Sequence, residues 1–191
     1  MRIGKTNISR AIENRETSNG SKIGLMEMTF LVPLRIDSNE RRENVEALIK
    51  YTFSHFKTSL IVLEADAIRK FFSECHADGF QYMFIEDSNE IFHRTKWINK
   101  LILASQTPYV SVWDADAIAP FEQILEAFEK LRYNGYAMSF PYDGRFYSCD
   151  RISGDLFKNK LDIKILVRHI PIMRLMHGYH CNQKLTMYSF R

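Results

Sequence analysis

Short apolar runs alternate along this chain with longer stretches in which apolar residues recur every three or four positions. Met28-Thr29-Phe30-Leu31-Val32-Pro33 is apolar, β-prone and stopped by proline, which predicts a buried strand. Ser38 is placed to cap a following helix, with Glu40 in its first turn. Val45, Leu48, Ile49, Thr52, Phe53 and Phe56 then form its inner stripe. Leu60-Ile61-Val62-Leu63 predicts a second strand, and residues 65–76 a helix with Ile68, Phe71 and Phe72 inward. A third strand is predicted at 80–85, and a helix at 94–105 with Trp97, Ile98, Leu101 and Ile102 on one face. A fourth strand follows at 109–113. Pro120 then sits near the start of a helix carrying Phe121, Ile124, Leu125, Phe128 and Leu131. A fifth strand is predicted at 137–140 and one further helix at 154–168, after which no period is evident.

Strands alternating with helices of this length predict an α/β fold: a Rossmann-like, mostly parallel sheet with helices on both faces. Residues 1–26 are polar and include Thr17-Ser18-Asn19-Gly20-Ser21, so they read as a flexible extension, and 27–191 as one domain. The net charge of +3 is scattered among acidic residues, which argues against a nucleic-acid partner. Cys75, Cys149 and Cys181 are odd in number and have no CxxC spacing, so a reducing, cytoplasmic setting is expected. No apolar run approaches the ~20 residues of a membrane span, and no apolar leader core is present.

Ligands of such sheets bind outside the carboxyl ends of the strands. The residues at those ends are Arg35 and Asp37, Glu64, Glu86 and Asp87, Asp114 and Asp116, and Asp143. Carboxylates gathered on one rim suit a divalent cation. The sharpest signal is Tyr109-Val110-Ser111-Val112-Trp113-Asp114-Ala115-Asp116, an apolar strand running into two carboxylates two residues apart. In extended backbone such a pair points to one side, where Mg²⁺ or Mn²⁺ could share its oxygen shell with phosphate. Ala115 between them is small enough for a sugar or ribose to approach the backbone.

With these segments in this order, residues 28–150 resemble a GT-A glycosyltransferase of the family-2 type. Phe30-Leu31-Val32-Pro33-Leu34-Arg35 is similar to the opening strand, and Leu63-Glu64 to the second strand end. Arg94-Thr95-Lys96-Trp97-Ile98-Asn99-Lys100 resembles the segment before the DxD strand, and Trp113-Asp114-Ala115-Asp116 the DxD motif itself. The resemblance implies a UDP-sugar donor, a saccharide acceptor, and Mn²⁺ or Mg²⁺ held by Asp114 and Asp116. It further implies nucleotide contacts from Pro33, Arg35, Asp37, Glu64, Arg94, Asn99, Asp114 and Ala115, with Lys96 a further candidate for phosphate.

The chain departs from that family after its donor half. It has no Gly-Gly pair and no glutamate after Glu129, so no catalytic base is assigned and a truncated C-terminus is expected. The apolar residues Ile170, Ile172, Met173, Leu175 and Met176 offer a surface for a homodimer. His177 and His180, beside Cys181, read as an incidental pair rather than a metal site. Two other readings stay open. One is a nucleotide-binding protein without turnover. The other is a haloacid-dehalogenase-type phosphatase with Asp114 as nucleophile, although Ile118 stands where that class has Thr or Val.

Overall fold

The computed structural model describes residues 22–73, 75–142, 144–169, 174–177 and 186–190. Asp143, Ile170, Ile172, Met173, His180, Cys181 and the extension up to residue 21 lie outside the described residues, and Leu175, Met176 and His177 are described only in their backbone. The chain divides into two compact units, one spanning Gly24–Asp116 and the other taking in the described residues from Ala117 on.

The first unit is the α/β, Rossmann-like fold expected. Its strands are β1 (Ile23–Leu34), β2 (Phe56–Asp66), β3 (Phe80–Glu86) and β4 (Tyr109–Val112). They form one all-parallel sheet in the order β3-β2-β1-β4. The first strand starts earlier than expected, taking in residues 23–26 of the presumed extension. Helices α1 (Asn39–His55) and α2 (Arg94–Ala104) connect the strands. Ser38 caps α1 as its sequence predicts, accepting the Arg41 N–H at 3.2 Å.

Alternate residues of β1 and β2 face opposite sides of the sheet, and both sides are covered. Leu31, Ile61, Leu63 and Ala65 pack with Trp97 and Leu101 of α2. Leu60 and Phe80 share the other face, where the Phe53 ring of α1 meets Phe80 edge-on at 6.4 Å. Two-sided burial explains why these strands read as continuous apolar runs rather than as alternating ones.

Residues 65–76 are not a helix. Strand β2 continues to Asp66, and an irregular segment follows. Phe71 is fully buried, but Ile68 and Phe72, assigned to the same inner face, are exposed. The cause is Glu64, whose carboxylate accepts the backbone N–H groups of Lys70 and Phe71 and so takes the donors a helix would use.

The second unit contains β5 (Ala117–Ile118), α3 (Phe121–Asn134), β6 (Arg145–Cys149), α4 (Arg151–Lys160), α5 (Ile163–His169), β7 (Arg174–His177) and β8 (Thr186–Phe190). Its sheet is mixed, in the order β5-β8-β6-β7. Helix α3 follows Pro120 as expected and ends at Gly135, whose left-handed φ of 69° suits glycine. The fifth strand expected at 137–140 is absent, and Met138 and Phe140 are exposed, whereas the strand lies at β6. The single helix expected at 154–168 is broken at Leu161, which takes φ 53°, after which Asp162 accepts the Lys164 N–H and starts α5. Among the described residues no helix is long and apolar enough to cross a membrane.

Two expectations follow from this packing. A Cβ at Gly79, where φ is +89°, would lie 2.3 Å from the Thr58 carbonyl oxygen, so Gly79→Ala should lower the denaturant midpoint by the equivalent of about 1–3 kcal/mol. Burial, then the charge of Asp150, pushes the Cys149 thiol from 9.0 up to about 12. The unfolded thiol therefore ionises first, and stability should fall as pH rises through the interval from 9.0 to about 12. Cys149→Ala should flatten that slope in denaturation curves taken across the interval; an unchanged slope would assign it to other groups.

Candidate functional site

All four strands of the first unit run the same way, so their carboxyl ends share one rim. The rim holds Arg35, Asp37, Glu64, Glu86, Asp87 and Asp114, as the spacing of the strands predicts, and also Asp66, because β2 runs further than expected. The structure sorts these residues into an open group and a locked group.

Asp114 and Asp116 belong to the open group. Strand β4 ends at Val112, and the Trp113 N–H donates to the Leu31 carbonyl at 2.9 Å, tying the exit from β4 to β1. Trp113 is buried, its ring 5.7 Å from that of Phe30. The motif itself is not extended strand as expected: Ala115 and Asp116 form a turn. Burial still alternates, with Asp114 exposed, Ala115 buried and Asp116 half-buried.

Arg94, the first residue of α2, reaches Asp114 at 2.6 Å. Both side chains are about half exposed, at 47% and 57%, and an ion pair so solvated contributes at most about 1 kcal/mol. A ligand can therefore replace either partner at little cost. Arg41 bonds Asp37 at 2.8 Å, which holds the Asp37 carboxyl below its ordinary 3.8. The charges of Asp116 and Asp114 also act on Arg41 and raise its affinity for a proton. Arg94 thus contacts the motif directly, and Arg41 acts on it through charge while paired with Asp37. Asn99 is not part of this group, since it lies on exposed helix surface about 140° around α2 from Arg94.

Hollows open among the described residues of this unit. One of about 380 Å³ is lined by Ile36, Asp37, Ser38, Asn39, Arg42 and Lys70. Another, of about 510 Å³, is lined by Asn89, His93, Arg94, Thr95 and Lys96. Arg41, Arg42 and Lys70 escape a reading of the sequence. Lys70 falls in a segment with helical spacing, and only the Asp37–Arg41 interval of four residues hints at a pair.

The locked group is Arg35, Glu64 and Pro33. Pro33 is buried two residues beyond the last β1–β4 register pair, Leu31 with Val112, so its missing N–H breaks no bond to β4. Arg35 was expected at the nucleotide. Instead its Nε donates to the Ala65 carbonyl at 2.9 Å, and its terminal nitrogens to the Asn89 carbonyl at 2.7 Å and to Asp87 at 3.1 Å. It also sits over the Phe92 ring at 5.3 Å. Glu64, likewise expected at the nucleotide, is fully buried, with contacts to Lys70, Phe71 and Tyr82. These two side chains hold loops in place.

Among the described residues no three His, Cys, Asp or Glu side chains converge to hold an ion. Asp114 and Asp116 offer two carboxylates, which suits Mg²⁺ or Mn²⁺, because such ions bind through one or two carboxylates together with substrate phosphates.

Because Arg35 ties the ends of β1 and β2 to the loop after β3, Arg35→Ala should destabilise the protein by roughly 2–3 kcal/mol in denaturant unfolding. Arg35→Lys should recover little of that loss, since an ammonium lacks the planar fork that makes several of these bonds at once. Full recovery by lysine would show that charge alone matters there.

The chain matches no protein-family model, and a comparison with curated proteins finds no match either.

Proposed function

We propose that Gly24–Asp116 is a donor-binding unit that takes a nucleotide diphosphate sugar, in a protein that transfers the sugar from UDP to a saccharide acceptor. One observation carries this reading: Asp114 and Asp116 lie at the carboxyl rim of a parallel sheet, with Arg94 on Asp114 and the Arg41–Asp37 pair within their electrostatic reach. Two carboxylates at the rim, Asp114 exposed and Asp116 half-buried, would by themselves repel a diphosphate. The Arg94 guanidinium on Asp114 and the charge of Arg41 offset that, and guanidinium is well matched to phosphate oxygens.

Asp114 and Asp116 would hold Mn²⁺ or Mg²⁺, which when bound offsets charge developing on the leaving diphosphate. Arg94 and Arg41 bind and orient the phosphates, and the hollow beside Asp37, with the cations of Arg42 and Lys70 in its wall, extends that phosphate-binding end of the site.

Calorimetric titration of UDP into the full chain tests this directly. Binding should require Mn²⁺, be lost in EDTA, and weaken by at least about tenfold in Asp116→Ala, which corresponds to one charge-assisted contact. Equal binding in EDTA would remove the metal role. No binding by a protein that still unfolds cooperatively would sink the donor-site reading. Binding without transfer to any saccharide would favour a nucleotide-binding module without turnover.

A further inference from the structure

Glu64 is a fully buried carboxylate that the proposed donor site does not use. A buried carboxylate is costly unless hydrogen-bonded, and this one accepts three bonds. Its Oε1 accepts the Lys70 backbone N–H at 3.0 Å, and its Oε2 accepts the Phe71 N–H at 3.1 Å and the Tyr82 hydroxyl at 2.5 Å. Burial, then Glu64 itself, holds the Tyr82 phenol well above its ordinary 10.0, so it remains a donor at neutral pH.

These bonds set the direction of one side chain. With the Lys70 backbone tied to the Glu64 side chain of β2, its ammonium reaches the carbonyl of Ile36, just past β1, at 2.9 Å and Asp66, the last residue of β2, at 2.8 Å. The same side chain forms part of the wall of the hollow that contains Arg42 and Asn39. An ammonium has three donors, and two are engaged, which leaves one for a ligand. Around the latch, Phe71 packs its ring 5.5 Å from Tyr82, and the Arg69 guanidinium covers Tyr82 at 4.7 Å.

We propose that Glu64 and Tyr82 are positioning residues that hold Lys70 in the wall of this hollow, and that Lys70 contacts a phosphate of the bound nucleotide. The nucleotide contact rests on the donor-site reading above; the positioning does not.

The experiment uses the full chain as wild type, Tyr82→Phe, Lys70→Met and the double variant, with UDP and uridine titrated in Mn²⁺. Tyr82→Phe removes one bond to Glu64 and leaves the ring in place. Each single variant should weaken UDP by about tenfold, and the double variant should bind no more weakly than Lys70→Met alone, because Tyr82 acts through Lys70. Uridine, which lacks phosphate, should be little affected by Lys70→Met. Additive losses, or an undiminished UDP affinity in Tyr82→Phe, would overturn the proposal. Hydrogen exchange of the Lys70 and Phe71 amides reads the latch without ligand: it should accelerate by about tenfold or more in Tyr82→Phe, and unchanged exchange overturns the positioning. If wild type binds no UDP, the donor-site reading and the Lys70 contact fall together, and the exchange data decide the positioning alone.

Discussion

The two-sided burial of β1 and β2 is the constraint on which the first unit depends. Leu31, Val32, Leu60, Val62 and Leu63 have no measurable exposure, although successive residues point to opposite faces. Each such side chain contributes roughly 1.5–3 kcal/mol by leaving water, but only if helices cover both faces. Connections that return over the sheet make the strands parallel, and parallel strands place all their carboxyl ends on one side. The rim of charged residues is a consequence of where the apolar residues had to go.

Electrostatics then decides what that rim can do. Its carboxylates are matched with cations drawn from different parts of the unit: Asp37 with Arg41, Asp66 with Lys70, Asp87 with Arg35 and Asp114 with Arg94. Burial separates them into two kinds. The Arg35–Asp87 pair is largely shielded, and Arg35 makes further bonds to backbone carbonyls, so its loss would strand polar groups. The Arg94–Asp114 pair is half in water, so little is lost when a ligand displaces it. A rim of fixed and exchangeable pairs suits a ligand that carries several negative charges. The contrast follows from the depth of each side chain and not from its residue type.

Buried polar groups also override local preference. Residues 65–76 have the spacing of an amphipathic helix, yet the Glu64 carboxylate competes for two of its N–H groups and wins. In the second unit Asp150 does the opposite, since its carboxylate accepts the Ser153 N–H at 3.0 Å and starts α4. The Ser153 hydroxyl, which donates to the same carboxylate at 2.7 Å, and then that N–H lower the affinity of Asp150 for a proton. The same chemistry, a carboxylate bonding nearby N–H groups, ends one regular segment and begins another, depending on whether the acid lies in a strand or at a cap.

The alternation of elements in Gly24–Asp116, the parallel sheet, the Ser38 cap, and the placing of Asp114 and Asp116 just past a strand were all legible in the chain before folding. These follow from hydrophobic period and nearest-neighbour chemistry, which act over a few residues. Packing between distant parts of the chain set the inward turn of Arg35 and Glu64, the action of the Asp114 and Asp116 charges on Arg41, and the place of Lys70 in the wall of a hollow. It also decided that Met138 and Phe140 find no place in a sheet and that the helix expected at 154–168 breaks at Leu161. Each of these depends on partners distant in the chain or on how deeply a group is buried. Arg35 and Asp87 are 52 residues apart, and Glu64 and Tyr82 are 18 apart. A charged residue after a strand reads the same in sequence whether it will hold a loop or meet a ligand. The depth at which the folded chain leaves it separates the two.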